Sequence, residues 1–346
     1  MRVMVTGGAG YIGSHATQRL LRDGHEVTVV DNLYRGHREP IDLLANQYGD
    51  SLCFVHADTG DRQRMLSTLK ERNIEAVMHF AALAYVGESV TQPLEYYRNN
   101  TSCALSLLQA CEEAGVQKFV FSSTCATYGE PDESNIPIPE TCPQKPINPY
   151  GMSKLHVEHM LFDAAHAMQL RNESFGFAAL RYFNVAGCDR SGVLGEDHEP
   201  ETHLIPVILR AMQGLRDGIT IFGTDYDTPD GTCIRDYVHV EDLVDAHVHV
   251  MNALQPGDAR TYNLGIGNGM SVREVIESAQ RVTGLSLNIT EGARREGDPP
   301  QLYANPAKIK HELGWSASIT NLDDIIASAW QWFEKHPEGY KSPAHV

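Results

Sequence analysis

The sequence predicts an α/β fold, in which a doubly wound parallel sheet carries helices on both faces. Short apolar runs of strand-forming residues alternate with helical patterns through the first half of the chain. Such alternation is typical of parallel sheets, because each strand reaches the next through a crossover helix. A glycine-rich turn between the first strand and the first helix supports the same fold. After residue 184 the alternation loosens, which indicates a second, smaller mixed α/β domain.

Length and composition fit a large globular protein. The 346 residues suffice for two domains or for one enlarged α/β domain. Apolar residues make up 42% and charged residues 21%, as is ordinary for soluble chains. The net charge of −17 argues against nucleic-acid partners and anionic membranes. An anionic ligand would therefore need arginines placed locally.

The cysteines and the apolar runs bear on where the protein resides. Seven cysteines are odd in number and widely spread, without Cys-x-x-Cys or zinc spacing, so we expect reduced thiols and no metal site. The N-terminus enters a strand directly, and no apolar run approaches the roughly 18 residues that span a membrane. We therefore expect a cytoplasmic protein with no signal peptide and no membrane partner.

The glycine turn after the first strand has the spacing of a dinucleotide site. Gly7 suits the tight turn, Gly10 lets backbone amides approach a pyrophosphate, and Gly13 permits close packing of helix on strand. The second apolar run ends in Asp31, where a carboxylate favours a free ribose hydroxyl and therefore NAD over NADP. Glycines alone could mark an ordinary turn. Together with the strand, the helix and Asp31 they predict a Rossmann-type domain.

Further strands and helices follow in alternation. The strands predicted after the first are 26–30, 52–57, 76–81, 118–122 and 175–183, and the predicted helices lie around 14–22, 62–72 and 100–114. In parallel sheets, ligands bind outside the carboxyl ends of the strands. This rule gathers Asp31, Asp58, Phe80–Ala82 and Ser122–Thr124 at one edge, and the last strand adds Asn184.

A phenol and an amine lie four residues apart in Tyr150-Gly-Met-Ser-Lys154, which places both on one face of a helix. Lowering a tyrosine pKa by about three units needs roughly 4 kcal/mol of preferential phenolate stabilisation. A fixed lysine and a second cation could supply it. The spacing alone is weak, and Ser122–Thr124 could be an ordinary strand-end turn. Beside a nicotinamide, however, these groups predict hydride transfer with the phenolate as base.

A succession of motifs at consistent spacing extends over roughly residues 1–340. The motifs are Val5–Gly13, Asp31–Leu33, His79–Ala82, Val86–Val90, Tyr96–Thr101, Ser122–Gly129, Pro149–Lys154, Arg181–Asn184, Gly231–Val240, Tyr262–Gly265 and Arg294–Asp298. Their order resembles the extended short-chain dehydrogenase/reductase family, and within it most of all the UDP-glucose 4-epimerases. The glycine turn and Tyr-x-x-x-Lys alone would identify only the superfamily.

The resemblance implies an NAD-dependent 4-epimerase that interconverts UDP-glucose and UDP-galactose through a 4-keto sugar. It places catalysis on Thr124, Tyr150 and Lys154. The cofactor-binding residues that it implies are Gly7, Gly10, Tyr11, Ile12, Gly13, Asp31, Asn32, Asp58, Thr59, Phe80, Ala81, Ala82, Asn99, Tyr150, Lys154 and Phe183. The substrate-binding residues that it implies are Thr124, Tyr150, Asn184, His203, Leu204, Thr220, Ile221, Phe222, Arg235, Arg295, Asp298 and Leu302.

Two of these positions answer the problem of the negative net charge. The guanidinium groups of Arg235 and Arg295 suit a substrate diphosphate. The plain alternative is a surface ion pair of each arginine with its neighbour, Asp236 or Glu296.

The chain departs from the family at positions that bear on the substrate. Thr124 stands where many members have serine, and it keeps the hydroxyl on a stiffer side chain. His203 stands where some members carry asparagine and could take over a diphosphate or uridine contact. Leu302 lies at the position that resembles the family's gate for sugar size, so the acceptance of an N-acetyl group stays open. Cys125-Ala126 replace the acid–base pair of the 4,6-dehydratases, which argues against dehydration.

Other substrates and another role remain as alternatives. The nearest are 4-epimerases of UDP-xylose/UDP-arabinose, UDP-glucuronate or UDP-N-acetylglucosamine. A more remote one is a nucleotide-sensing regulator without chemistry, against which the intact Thr124, Tyr150 and Lys154 argue.

The resemblance and the loosened second half also suggest how the chain is divided. We predict an NAD-binding domain over 1–184 and about 234–268, a nucleotide-sugar-binding domain over 185–233 and 269–340, and a tail over 341–346. The resemblance further implies a homodimer that forms through a helical face of the cofactor domain.

Overall fold

The computed structural model describes residues 1–295 and 298–340, and its main feature is a seven-stranded parallel sheet. The predicted tail over 341–346 lies outside the described residues. The strands are β1 (Arg2–Thr6), β2 (Glu26–Asp31), β3 (Leu52–His56), β4 (Ala76–His79), β5 (Lys118–Thr124), β6 (Gly176–Tyr182), β7 (Asn184–Ala186), β8 (Ile219–Phe222), β9 (Ile234–Arg235), β10 (Tyr237–His239), β11 (Ala259–Leu264), β12 (Met270–Ser271), β13 (Ile289–Gly292) and β14 (Gln301–Leu302).

Helices alternate with these strands through the first half of the chain and cluster in the second. They are α1 (Tyr11–Arg22), α2 (Glu39–Tyr48), α3 (Arg62–Glu71), α4 (Val86–Thr91), α5 (Pro93–Tyr96), α6 (Cys103–Ala114), α7 (Pro149–Leu170), α8 (Leu204–Met212), α9 (Val240–Ala253), α10 (Val272–Thr283), α11 (Ala307–Leu313) and α12 (Leu322–Lys335). Within the described residues, no helix has both the length and the apolar character needed to cross a bilayer.

The order of the main sheet confirms the predicted doubly wound fold. The strands follow the order β11-β6-β5-β4-β1-β2-β3, and every pairing is parallel. The chain moves outward from β1 to β3 and then returns to the other side of β1 at β4. Such a reversal opens a crevice outside the carboxyl ends of the two neighbouring strands, where ligands bind.

Side chains on the two faces of the sheet build two separate hydrophobic clusters. Val3 and Val5 point to the face that packs with α1, α2 and α9, whereas Met4 points to the face that packs with α3, α6 and α7. The alternation follows from the two-residue period of a strand. Because β1 is buried on both faces, the turn that follows it is held in place from both sides.

A third cluster forms the core of the smaller lobe. It joins α8, α10 and α12 around the fully buried Trp332. Beside it, β8 pairs with β13, and the two-residue strands β12, β9 and β14 form a small sheet. Residues 259–264 return to the edge of the main sheet as β11, while β10 pairs with β7 outside it. The limits of the two domains stay a prediction.

The helix predicted from Asn100 begins three residues later, at Cys103. Residues 97–102 form a π-helical turn, which places the Asn100 side chain against Leu83. The N–H of Leu83 donates to Asn100 Oδ1 (2.8 Å), and its carbonyl accepts from Asn100 Nδ2 (3.0 Å). Such wide turns often occur at functional sites. Here the turn ties the segment after β4 to α6, next to Asn99 in the cavity wall.

Candidate active site

A cavity of about 630 Å³ lies at the carboxyl ends of the parallel strands and extends to the smaller lobe. Every residue that the sequence analysis assigns to the site lines this cavity, from Gly7 after β1 to Leu302 in β14. The structure therefore brings the predicted residues together. Which contact each of them makes with a ligand is part of the proposal below.

The turn between β1 and α1 leaves no room for side chains. Gly7 has a φ of 70°, and a Cβ there would lie 2.5 Å from the backbone nitrogen of Ala81. A Cβ on Gly13 would lie 2.0 Å from the carbonyl oxygen of Gly7. Helix α1 begins at Tyr11, so its first N–H groups and its positive dipole end lie at the cavity. The turn fits a pyrophosphate.

The carboxylate of Asp31 stands beside this turn at the end of β2. Its Oδ2 accepts from the N–H of Ala9 (3.0 Å), and its Oδ1 accepts from the N–H of Leu33 (2.8 Å). Each oxygen keeps a lone pair for a ribose hydroxyl. Burial raises the pKa of Asp31, and the two amide hydrogen bonds act in the opposite direction. Asn32 donates to Asp58 (3.0 Å) next to it, so the residues present fit the adenosine part of NAD.

Helix α7 begins at a cap that fixes the position of the phenol and the amine. Asn148 Oδ1 accepts from the N–H of Gly151 (2.8 Å), and Pro149 occupies the first helical position. Tyr150 then lies in the first turn and Lys154 one turn later, on the same face. Both side chains line the cavity.

Lys154 is buried at the floor of the cavity. Its Nζ donates to the carbonyl oxygen of Ser122 (2.8 Å) and lies 5.0 Å from the ring centre of Phe121, and these contacts hold the side chain in place. Burial lowers the pKa of Lys154 to about 7. The amine is therefore fixed in place, but its charge at neutral pH depends on what else lies nearby.

The surroundings of Tyr150 favour the neutral phenol. Burial raises the pKa of Tyr150, the nearby Tyr182 raises it further, and the hydroxyl of Thr124 acts in the opposite direction. The protein groups alone therefore do not make Tyr150 a base at neutral pH. An additional positive charge beside the phenol is needed to stabilise the phenolate.

The strand period separates Thr124 from its neighbour Ser123. Ser123 points away from the cavity and donates to Glu158, which forms a buried ion pair with Arg181 (2.6 Å). Thr124 lines the cavity, and its Oγ1 accepts from the N–H of Ala126 (3.1 Å). Because that contact uses only a lone pair, the O–H proton of Thr124 remains available for donation.

Two arginines stand at the far end of the cavity. Arg235 Nη2 donates to Asp298 Oδ1 (2.6 Å), and its side chain is only 12% exposed. The guanidinium carbon of Arg295 lies 4.0 Å from the ring centre of Phe222. Leu302 faces Arg235 in the register of β14 on β9. The arrangement offers positive charge to a diphosphate and an apolar contact beside it.

The ion pair of Arg235 with its neighbour Asp236, which the sequence offered as an alternative, does not form, since Arg235 pairs with Asp298. Asp236, the neighbour of Arg235, instead accepts from the backbone N–H groups of Ile266 (2.8 Å), Gly267 (3.1 Å) and Ala304 (3.1 Å). Glu296, the neighbour of Arg295, lies outside the described residues.

The structure adds residues that the sequence analysis missed. The carbonyl of Ser122 holds Lys154, the side chain of Asn148 caps α7, and Glu196 accepts from Nδ1 of His203. An Asn-Pro pair before a helical pattern is a known start signal and could have revealed the cap. A backbone carbonyl and a distant glutamate leave no such signal in a sequence.

Comparisons with known proteins agree with this geometry. Residues 3–265 match the NAD dependent epimerase/dehydratase family. The chain is 47% identical to the UDP-glucose 4-epimerase of Streptococcus mutans, with 98% of this chain and 99% of that protein covered. It is 46% identical to the probable UDP-arabinose 4-epimerase 3 of Arabidopsis thaliana, with 98% and 82% covered.

Solved structures give the same picture. The UDP-glucose 4-epimerase of Brucella ovis in complex with NAD superposes with a TM-score of 0.88 at 47% identity, covering 96% of this chain and 98% of that one. The UDP-glucose 4-epimerase of Bifidobacterium longum in complex with NAD+ and UDP has a TM-score of 0.91 at 39% identity, covering 98% and 100%. The chain therefore belongs to the NAD dependent epimerase/dehydratase family.

Proposed function

We propose that this protein is an NAD-dependent 4-epimerase that interconverts UDP-glucose and UDP-galactose. One observation carries the proposal: Thr124, Tyr150 and Lys154 share a cavity with Arg235 and Arg295. The first three can handle the proton of a sugar hydroxyl, and the two arginines can hold a diphosphate. The full-length similarity to UDP-glucose 4-epimerases supports the same substrate.

Proton transfer is the task of the chain's own groups. NAD, when bound, supplies a positively charged ring that accepts the C4 hydride and later returns it. Tyr150 removes the proton of the C4 hydroxyl, either directly or through the hydroxyl of Thr124. Lys154, fixed by Ser122, lies one helical turn from the phenol and favours its charged form when protonated. In the return direction Tyr150 acts as the acid.

Epimerisation requires that the 4-keto sugar present its opposite face, and the wall of the cavity suits this step. Cys125 and Leu302 belong to one apolar cluster that borders the cavity near Arg235. These side chains give a sugar few hydrogen-bond partners, while Arg235 and Arg295 can tether its diphosphate. A ligand held firmly at one end and loosely at the other can turn without leaving.

The deciding experiment incubates the purified protein with UDP-galactose, without added NAD, and resolves the C4 epimers. We expect UDP-glucose to form until equilibrium is reached. Net formation of NADH would instead indicate a dehydrogenase, and loss of water from the sugar would indicate a dehydratase. Absence of any conversion, even after NAD is added, would favour the nucleotide-sensing regulator.

A second candidate function is 4-epimerisation of UDP-arabinose and UDP-xylose, which the relatives of Arabidopsis thaliana support. Neither UDP-arabinose nor UDP-galactose carries the N-acetyl group on whose acceptance Leu302 bears, so this residue does not discriminate between the two functions. Turnover of UDP-arabinose and UDP-galactose by the same preparation would compare the two functions directly. Leu302→Cys should raise activity on UDP-N-acetylglucosamine by about tenfold, because one or two methylene groups in a pocket have effects of that size.

The quaternary structure and location that we propose follow the same family. The exposed apolar side chains of Leu105 on α6 and Phe162 on α7 support a homodimer through these helices. Light scattering should then give twice the mass of one chain, and Leu105→Glu should reduce it. We also propose that the protein acts in the cytoplasm.

A further inference from the structure

Four potential metal ligands converge in the loop between β7 and α8. They are Glu196, His198, Glu201 and His203, spaced as Glu-x-His-x-x-Glu-x-His and here called the Glu–His cluster. One ligand atom from each residue lies within 4.8 Å of all the others. We propose that the Glu–His cluster binds one divalent transition-metal ion of the zinc type.

The distances within the cluster are those of atoms that could surround one ion. His198 Nδ1 lies 3.4 Å from Glu196 Oε1 and 3.6 Å from Glu201 Oε2, and His203 Nδ1 lies 2.5 Å from Glu196 Oε1. A tetrahedral ion with bonds of about 2.0–2.1 Å separates its ligand atoms by roughly 3.3 Å. The two distances from His198 are close to this value, whereas His203 Nδ1 would have to move away from Glu196 Oε1 by roughly 0.8 Å when the ion binds. Two imidazoles and two carboxylates form a ligand set that suits zinc.

A second observation points to a ligand inside the cluster. The side chain of Glu201 is only 2% exposed, and its Oε2 has no hydrogen-bond partner among the described residues although it faces His198. His198 Nδ1 is buried and unpartnered as well. A buried carboxylate oxygen without a partner is strongly unfavourable. A metal ion would satisfy both atoms at once.

A network of protonated histidines and carboxylates is the competing explanation. It accounts for His203, whose Nδ1 donates to Glu196. It accounts less well for His198, whose Nδ1 lies within ion-pair distance of Glu196 (3.4 Å) and Glu201 (3.6 Å) but makes a hydrogen bond to neither. The spacing around His198, with Nδ1 between two carboxylate oxygens and no hydrogen bond to either, is that of ligands around an ion. On binding the ion, His203 would release its Nδ1 proton.

Neighbouring groups already orient the ligands. Glu201 Oε1 accepts from the N–H groups of Thr202 and His203, both at 2.8 Å, which fixes the carboxylate and leaves Oε2 for the ion. Metal ligands are commonly held by such outer hydrogen bonds. With four protein ligands the shell is closed, so we assign the ion a structural role and no part in the chemistry.

The position of the loop shows what the ion would stabilise. The ring of His198 meets those of Tyr11 and Tyr85 edge-on, at centroid distances of 6.2 and 6.3 Å. Arg35 donates to the carbonyl of Glu199 (2.8 Å). The loop therefore lies over the glycine turn and continues into the wall of the cavity at His203. An ion in the Glu–His cluster would fix the smaller lobe against the cofactor end.

This proposal departs from the absence of a metal site that the sequence predicts. That prediction rested on the number and spacing of the cysteines. The Glu–His cluster mixes carboxylates with histidines in a loop without regular structure, so only the folded chain shows that the four residues converge.

The test titrates the NAD-loaded protein, after treatment with a chelator, with Zn²⁺ in a calorimeter and with Co²⁺ in a spectrophotometer. We expect one ion per chain and the visible absorption of tetrahedral Co²⁺. Glu201→Gln and His203→Gln should each weaken Zn²⁺ binding at least tenfold. The matched control is Glu199→Gln, an exposed carboxylate of the same loop outside the cluster, which should bind as the wild type does.

The outcome is decided without reference to enzyme activity. Failure of the wild type to bind either ion, or equal binding by Glu201→Gln, His203→Gln and the wild type, would overturn the proposal. Equal weakening in Glu199→Gln would also overturn it, since binding would then not belong to the cluster. If Glu201→Gln fails to fold, His203→Gln decides, because its side chain is 44% exposed and its loss disturbs the core less.

Discussion

The two ends of the cavity are built in opposite ways. The dinucleotide end consists of backbone in close contact, with Gly13 against Gly7 and Asp31 held by two amides. The sugar end combines apolar side chains, among them Cys125 and Leu302, with the two arginines that suit a diphosphate. The backbone of the first end is closely packed and has little room to move, whereas the apolar side chains of the second offer few directional contacts. A redox-neutral epimerase needs this difference, because its cofactor must stay still while its sugar turns.

The largest expected effect concerns the boundary between the two ends. Tyr150→Phe removes the phenolic hydroxyl group from the cavity but keeps the ring that packs edge-on against Tyr96. We expect turnover of UDP-galactose to fall about 10²- to 10⁴-fold, the range for loss of a general acid–base group. NAD released from the denatured variant should equal that from the wild type.

A tyrosine outside the cavity provides the control for this variant. Tyr97 stacks on His156 in the π-helical turn, and Tyr97→Phe should leave turnover unchanged. Near-normal turnover of Tyr150→Phe would remove Tyr150 from the mechanism.

A single added methyl group at the dinucleotide end should prevent the binding of NAD. Gly13→Ala would place a Cβ 2.0 Å from the carbonyl oxygen of Gly7, which must then shift. Overpacking of this kind destabilises by about 1–3 kcal/mol, and displacement of the turn should remove most of the bound NAD. Gly87→Ala is the matched control, because nothing lies within 4 Å of the added Cβ. Full retention of NAD by Gly13→Ala would contradict the assignment of the turn.

A substitution at the sugar end should weaken the binding of UDP without changing the amount of bound NAD. Arg235→Met keeps an unbranched side chain but removes the charge that we propose binds the diphosphate. A hydrogen bond to a charged group contributes about 1.5–3 kcal/mol, so we expect UDP to bind roughly 10- to 100-fold more weakly. Calorimetry with UDP measures this, and NAD content should not change.

Another arginine of the same lobe serves as the comparison. Arg273 pairs with Glu291 at the surface, where its side chain is 39% exposed. Arg273→Met should bind UDP as the wild type does, since surface ion pairs contribute little. If both variants weaken UDP binding equally, Arg235 has no special role.

The smallest expected effect is a change of stability with pH. Burial lowers the pKa of Lys154 from 10.5 in the unfolded chain to about 7 in the folded one. Between these values the unfolded state binds a proton that the folded state does not, so the free energy of unfolding rises with pH. The slope is at most about 1.4 kcal/mol per pH unit. His79 faces Lys154 but does not titrate in this range, because burial and Lys154 lower its pKa to about 3.

Urea unfolding of the NAD-depleted protein between pH 7 and about 9 measures this slope. Lys154→Met has no titrating group at the position and should lose the Lys154 contribution. An identical pH dependence in the variant and the wild type would show that Lys154 keeps its ordinary pKa in the folded protein.

The dinucleotide end could be predicted from the sequence because its determinants are local. Gly7 and Gly13 are six residues apart, and Asp31 ends the next strand. The start of α7 is equally local, since Tyr150 and Lys154 follow a capping residue within one helical segment. Short-range spacing of this kind translates directly into geometry.

The sugar end could be predicted only through family resemblance. Arg235 pairs with Asp298, which lies 63 residues away, and the strands that carry Arg235 and Leu302 contain two residues each. Two-residue strands have no detectable period, and long-range partners leave no mark in a single sequence. The start of α6 was misplaced for a related reason, because a contact with Leu83 determines the turn around Asn100.

The apolar wall at the sugar end has a consequence for the lifetime of the enzyme. Groups that do not hold the sugar in one orientation also do not hold the oxidised intermediate once its diphosphate lets go. Under the proposed function, two steps then compete in each turnover: reduction of the 4-keto sugar on its opposite face and its dissociation from the protein. An escape would leave the protein with a reduced nicotinamide and no partner to reoxidise it. The affinity of Arg235 and Arg295 for the nucleotide would thus determine how many turnovers a protein molecule completes before it is inactivated.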